Sequence, residues 1–423
     1  MTATTAPHGR LALGSAYPWL ALGLLWCCAL LNSADRSILV AVMPQIRDEF
    51  HLSPTLLALI TSVFFWVYAV AAFITSRLGD RARRSRVIMW GLAFWSIATG
   101  LVSLSAGFAM LIGLRAMVAV GEATYYPSAT ALISDWHPNR TRGRALSLHQ
   151  TGVFAGAGLG SLAAGLIADR MGWRAPFLIF AVAGGVMALV LMRLLKDAPA
   201  HEAQAAAAPA AGSGPLSTVL ATRSALALCA VFFLGNAASN GVTVWAPTFV
   251  HDKLHINLAQ SALWGSATIN IAGFVFVPLG GMLADALSIR SKIGRFYTLA
   301  IGLGLAGLLL LPLLAANSAL MVGLVLLASS AGKGLFDGCI YAAMHDVVPA
   351  RARATAVGLM TMTGFVGAGL APLFVAQMGQ LFGMAAAMTS VAGLYFGAVL
   401  ILLACRDMTR NAILDHEPEP AAA

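Results

Sequence analysis

Residues 135–142 read Asp-Trp-His-Pro-Asn-Arg-Thr-Arg, and residues 346–353 read Asp-Val-Val-Pro-Ala-Arg-Ala-Arg. Both have the form Asp-x-x-Pro-x-Arg-x-Arg. A second pair of segments repeats less strictly. Ser76-x-x-x-Asp80-Arg81 is followed by Arg83, Arg84 and Arg86, and Gly281-x-x-x-Asp285 is followed by Arg290 and Lys292. The two pairs keep their order and nearly their spacing. One unit is therefore present twice, and each copy supplies a similar piece of architecture.

The segments between these loops are apolar. Of 423 residues, 59% are hydrophobic and 10% charged, whereas a soluble domain carries about 25% charged residues. That excludes a soluble enzyme, a disordered chain and a nucleic-acid-binding module. A membrane-spanning helix needs about 20 apolar residues, and twelve segments meet this. The first six run near Tyr17–Met43, Leu56–Ser76, Val87–Leu104, Phe108–Ile133, Ala145–Ile167 and Ala175–Leu195. The second six run near Ala225–Phe249, Ala262–Ala284, Phe296–Ala316, Leu320–Val347, Thr355–Met378 and Met384–Ala404. Spanning β-strands are about half as long and alternate in polarity. The expected fold is an all-α membrane protein with twelve transmembrane helices in two pseudo-symmetric six-helix bundles. Residues 1–195 form the first bundle, 196–222 an Ala/Pro/Gly/Ser-rich linker, and 223–423 the second bundle with its tail.

The charges sort by loop. Arg77, Arg81, Arg83, Arg84, Arg86, Arg140, Arg142, Arg144, Arg290, Lys292, Arg295, Arg351 and Arg353 fall on one side, whereas Arg47, Arg170, Arg174 and Lys253 fall on the other. The positive-inside rule then places both termini and the linker in the cytoplasm. The net charge of +9 is a topology signal beside anionic lipid, not a nucleic-acid signal. The first span is too long for a cleaved signal and lacks a small-residue cleavage site. The five cysteines lie in or beside apolar spans without ligand or disulfide spacing.

Residues Ser76 through Ser85 are similar to the Gly-x-x-x-Asp-Arg-x-Gly-Arg-Arg loop of major facilitator superfamily transporters. Asp80, Arg81 and Arg84 match, whereas Ser76, Arg83 and Ser85 depart from it. The resemblance covers nearly the whole chain. It implies a conformational latch of Asp80, Arg81 and Arg84, with Asp285 in the repeated loop. Asn32-x-x-Asp35-Arg36, Phe65-Trp66-x-Tyr68, Arg115 with Glu122, and Trp245-Ala-Pro247-Thr-Phe249 resemble the anion:cation symporters. That branch includes proton-coupled transporters of sugar acids. Gly121-Glu122-Ala123 is also similar to the spinster-type lysolipid transporters.

Six charges lie inside spans: Asp35, Arg36, Arg115, Glu122, Lys333 and Asp337. Each costs about 2.5–3.5 kcal/mol at a bilayer centre on insertion scales, so they must face a cavity or one another. Arg115 and Glu122, seven residues apart, share a helix face. The resemblance implies that Arg36 and Arg115 hold the substrate and that Asp35 and Glu122 carry the proton. It also places Tyr68 in the cavity, where interhelical packing is the alternative. Asn240 is a substrate contact or an interhelical hydrogen bond. His149 handles a proton or substrate, or serves as a gate. Lys333 and Asp337, at i and i+4, form an intrahelical pair or meet the substrate anion.

Coupling follows from electrostatics. Desolvation favours a protonated carboxyl group, and a neighbouring guanidinium opposes this. An anion that draws the guanidinium away therefore promotes protonation. The loaded site is charge-neutralised and can be occluded, and the halves rock around it.

Two departures from the symporters point to a more apolar anion. Thr151-Gly152-Val153 stands where Ser-Gly-Gln is common, and residues 364–369 hold no Asn. The rival reading is an exporter or facilitator of an amphipathic molecule, such as a lysolipid or drug. No metal cluster, nucleophile–base pair or phosphate loop suggests an enzyme or a cofactor. The expected partners are a small organic anion, protons and membrane lipids, with no nucleic acid. The expected state is a monomer in a bacterial inner membrane. Gly152, Gly156 and Gly160, spaced by four, are expected at a close helix contact.

Overall fold

The computed structural model describes residues 16–81, 83–137, 139–198, 216–349 and 352–414. Among them are twelve helices long and apolar enough to cross a membrane. In lipid every backbone N–H and C=O must be paired within the segment, so an apolar run of this length becomes a helix. The first six are α1 (Tyr17–Phe50), α2 (Pro54–Arg81), α3 (Arg84–Val102), α4 (Phe108–Trp136), α5 (Asn139–Met171) and α6 (Arg174–Leu194). The second six are α7 (Arg223–Leu254), α8 (Leu258–Arg290), α9 (Gly294–Ala315), α10 (Ala319–Val347), α11 (Arg353–Phe382) and α12 (Met384–Ala404). No strand occurs among the described residues.

Their packing repeats. In the first half α1 lies along α5, α2 along α4, and α3 along α4 and α6. In the second half α7 lies along α11, α8 along α10, and α9 along α10 and α12. Across the halves α2 meets α11 and α8 meets α5, again equivalent pairs. Local geometry repeats too. α1 ends on His51 (φ 51°) and α7 on His255 (φ 52°), left-handed caps whose N–H groups return to the Arg47 and His251 carbonyls.

The small-residue spacing in α5 has the expected effect. A Cβ on Gly156 would fall on the Leu30 backbone, and one on Gly160 on Ala34. Only hydrogen at these positions lets α1 and α5 run this close.

The two ends of the molecule differ. At the end away from the repeated basic loops, contacts join the halves. Arg47 donates to both Asp252 oxygens at 2.5 and 3.1 Å. Asp169 on α5 accepts from the Leu258 and Ala259 N–H groups at 3.0 and 2.9 Å, at the start of α8. Gln380 donates to Thr55 at 3.3 Å. At the basic end the ion pairs Arg84–Asp135 and Arg295–Asp346 each join elements of one half.

Three details depart from the sequence reading. α1 continues to Phe50 because Arg47, Asp48 and Glu49 extend the helix beyond its apolar stretch. Residues at the start of the expected linker are tied down: Trp136 donates to the Lys196 carbonyl at 3.1 Å, and Asp197 accepts from the Ser85 N–H and hydroxyl at 2.9 and 2.6 Å. The linker's far end forms a short helix, Leu216–Ala221, with Val219 fully buried.

Candidate functional site

Four charged side chains meet inside the first bundle, brought there by two helices. Asp35 and Arg36 come from α1, Arg115 and Glu122 from α4. Asp35, Arg115 and Glu122 are 3%, 2% and 0% exposed. Arg36 remains about a quarter exposed, at 26%. Its Nε lies 3.1 Å from Glu122 Oε2. The Nε–H is aimed instead at the Asn32 carbonyl, 3.4 Å away, while Nη2 donates to Asn32 Oδ1 at 2.5 Å. The contact with Glu122 is therefore one of charge, without an aligned hydrogen bond.

Aromatic rings from α2 back the two cations. The Arg36 guanidinium sits 5.6 Å from the Tyr68 ring centre, and that of Arg115 sits 4.7 Å from the Phe64 ring. Such faces favour a cation out of water. Asp35 and Glu122 both lie within electrostatic range of Arg115. Thr99 on α3 donates to Asp35 Oδ2 at 2.5 Å. Several buried atoms then lack a hydrogen-bond partner: Asp35 Oδ1, both Glu122 oxygens, and Arg115 Nε and Nη1. Buried polar atoms in folded proteins are normally paired, so such a concentration asks for an explanation. The unpaired nitrogens are donors suited to an oxyanion, and the unpaired oxygens are acceptors suited to a proton.

A second charged pair lies in the other bundle. Lys333 donates to Asp337 Oδ1 at 2.5 Å along α10. The Lys333 side chain is 8% exposed and that of Asp337 35%. Tyr341, after the interruption of α10 that follows this pair, packs edge-on against Phe232 at 5.8 Å between ring centres. Tyr68 also packs on Phe365 of α11 at 4.7 Å between ring centres, and Phe65 packs on the same ring at 6.1 Å. α2 and α11 thus meet through an aromatic wall of Phe65, Tyr68 and Phe365.

One shared feature carries no mark in the residues themselves. α4 is interrupted directly after Glu122, by Ala123 and Thr124, and α10 directly after Asp337, by Gly338 and Cys339. The first residues of the two interruptions share one backbone geometry, Ala123 at φ −63°, ψ −20° and Gly338 at φ −65°, ψ −20°, whereas the second differ, Thr124 at φ −73° and Cys339 at φ −131°. In each, a bond to the fourth residue back is followed by a tighter one to the third. Each bundle therefore ends a helical segment on a site acid.

Among known protein families, the model of the Major Facilitator Superfamily matches residues 25–299. The chain belongs to the major facilitator superfamily. Among its relatives is the hexuronate transporter of Bacillus subtilis (strain 168), 24% identical over 386 residues, covering 85% of this chain and 88% of that protein. Probable anion transporter 4, chloroplastic, of Oryza sativa subsp. japonica is 27% identical over 368 residues, covering 82% of this chain and 61% of its own length. Protein spinster of Drosophila melanogaster is 27% identical over 289 residues, covering 66% of this chain and 47% of its own. The chain thus spans less than two thirds of the rice and fly proteins. Among solved structures, a bacterial homolog of the human lysosomal transporter Spinster superimposes with a TM-score of 0.80 at 20% identity, over 96% of this chain and 100% of that one. That likeness establishes the superfamily fold.

Within this superfamily fold the remaining expected residues take separate places. His149 is 1% exposed. Its Nε2 lies 2.7 Å from the Tyr125 hydroxyl, which also donates to the Leu25 carbonyl at 2.5 Å. With the hydroxyl hydrogen engaged there, Nε2–H must be the donor. The geometry ties α1, α4 and α5 together and buries His149 between them. Asn240 and Asn236 donate to the Asn236 and Phe232 carbonyls of their own helix, at 3.0 and 2.9 Å. Of the expected latch, the side chains of Asp80 and Arg81 lie outside the described residues. Arg84 pairs with Asp135 of the repeated motif. Asp285 lies 3.4 Å from Arg295, which holds Asp346 at 2.7 Å. Arg84–Asp135 and Arg295–Asp346 span the same 51 residues and are equivalent pairs. Among the described residues no group of three or more His, Cys, Asp or Glu side chains is placed to hold a metal ion.

Proposed function

We propose that this chain is a secondary transporter that moves a small organic anion together with a proton by alternating access. The observation that carries the reading is the set of unpartnered buried atoms on Arg115, Glu122 and Asp35. A purely structural network of buried charges gains little over apolar packing unless every group is paired. Here a carboxylate substrate would complete the Arg115 fork, with Arg36 as its more exposed neighbour. A proton on Glu122 or Asp35 would leave the loaded cluster near neutral. The two carboxyl groups titrate as one coupled set.

In this reading the basic end faces the cytoplasm, by the positive-inside rule. Residues 1–195 and 223–423 are the rocking bundles, joined by 196–222. The contacts of Arg47 with Asp252 and of Asp169 with α8 then close the outer side. The protein acts as a monomer in a bacterial inner membrane. Lys333, Asp337 and Asn240 form the substrate's far wall, and Tyr68 its near one. The relatives named for hexuronate and anion transport are consistent with an anionic substrate.

The test is uptake into proteoliposomes of labelled glucuronate, ascorbate, benzoate and inorganic phosphate, after a thermal-shift screen of the same four. A bound probe stabilises the protein by about 2.7 kcal/mol at a hundredfold excess over Kd. Uptake of the stabilising probe should fall as external pH rises and collapse in Asp35→Asn and Glu122→Gln. Uptake indifferent to pH and to a protonophore rejects the proposal. The aromatic wall of Phe65, Tyr68 and Phe365 favours a second reading, transport of an amphipathic molecule. Competition by a lysolipid, with none by the four anions, selects it.

A further inference from the structure

α3 packs against α4 and α6 and carries no charge in its apolar stretch, yet one of its side chains reaches the charged cluster. Threonine in a helix commonly gives its hydroxyl hydrogen to a carbonyl three or four residues back. Thr75, Thr130, Thr268 and Thr298 do so here, donating to the carbonyls of Ala71, Tyr126, Trp264 and Gly294. Thr99 does not. The residue is 1% exposed, and its hydroxyl is directed out of α3 onto Asp35 Oδ2 at 2.5 Å. The other oxygen, Oδ1, is buried and has no partner.

We propose that Thr99 is the positioning residue for Asp35, fixing which carboxylate oxygen is open to the proton and setting the pH at which the transporter loads. This rests on the reading of Asp35 as a proton carrier. The charged groups that reach Asp35 are Arg36 on its own helix and Arg115 and Glu122 from α4. α5 presents Gly160 against the neighbouring Ala34. Thr99 supplies the aligned hydrogen bond from outside that set. With Oδ2 engaged, a proton arriving at Asp35 adds to Oδ1. Thr99 keeps donating to Oδ2 afterwards, now to a neutral acceptor. A hydrogen bond to an ionised acceptor is the stronger of the two, so Thr99 favours the ionised carboxylate. Without it, Asp35 holds its proton to higher pH.

The experiment is an infrared titration of the purified full-length transporter in detergent, which needs no substrate. The protonated-carboxyl band lost in Asp35→Asn defines the Asp35 signal. In Thr99→Val the pH midpoint of that signal should rise by about one unit, and Thr99→Ser should restore the wild-type midpoint. The pH profile of uptake of the stabilising probe should move in the same direction. A Thr99→Val midpoint equal to wild type, with the Asp35 signal present, overturns the proposal and leaves the role of Asp35 standing. No Asp35-dependent band at any pH overturns the underlying reading instead. Counterflow exchange, which needs no net proton movement, reports on folding. It should survive in Thr99→Val or in the smaller Thr99→Ala. Its loss in both assigns Thr99 to packing and overturns the proposal.

Discussion

Arg36 Nε stands 3.1 Å from Glu122 Oε2, while its N–H points to the Asn32 carbonyl. A cation and an anion thus face each other without an aligned bond between them. Arg36 is anchored by Asn32 on its own helix and is partly exposed, whereas Glu122 is fully buried. An arriving anion can engage Arg36 without first breaking a directional contact to Glu122. Glu122→Gln keeps the shape and removes the charge. It should collapse net proton-driven uptake while retaining counterflow exchange, measured in the same vesicles.

Arg115 carries two unpaired donors, Nε and Nη1, on one rigid planar guanidinium fork whose third nitrogen, Nη2, lies between the directions they serve. Lysine at this position keeps the charge but loses the fork. Arg115→Lys should raise the KM for the stabilising probe about tenfold or more, the equivalent of one charge-assisted hydrogen bond. Initial rates across a concentration series report the effect.

Gly156 permits the close run of α5 against α1. Gly156→Val should cost about 1–3 kcal/mol through overpacking, read as a lowered thermal midpoint in detergent. Gly113 is the control, because a methyl group placed on it would meet nothing within 4 Å. Gly113→Ala should leave the midpoint near wild type.

Much of this organisation is legible in the residues, and the gaps have physical reasons. Twelve spans follow from apolar run length. Their ends do not, because a helix such as α1 continues through charged Arg47, Asp48 and Glu49, where hydropathy no longer marks it. The cluster of Asp35, Arg36, Arg115 and Glu122 is legible because charges are costly in lipid and conspicuous there. Thr99 is not, since a threonine in an apolar span carries no such mark and its partner lies 64 residues away. Neither Ala123 nor Thr124 is a strong helix breaker, so the interruption after Glu122 has no signal of its own. The Arg295–Asp346 pair does have one: the Arg84-to-Asp135 spacing recurs in the second half.

The contacts of Arg47 with Asp252 and of Asp169 with the start of α8 join the two bundles at the end away from the basic loops. Removing both through Asp252→Ala and Asp169→Ala should shift the population toward a state open at that end. Spin labels at Leu56 and Gln260, near the starts of α2 and α8, should then report longer distances. An unchanged distance distribution assigns these contacts to local structure.

Proton movement accompanying the substrate tests the central claim most directly. The measurement is the pH of a weakly buffered medium outside proteoliposomes, followed as the stabilising anion is added under an imposed inward gradient. Coupled entry should make the medium more alkaline in step with uptake, and Glu122→Gln should remove that signal. Uptake at the full wild-type rate with no change in external pH would contradict it.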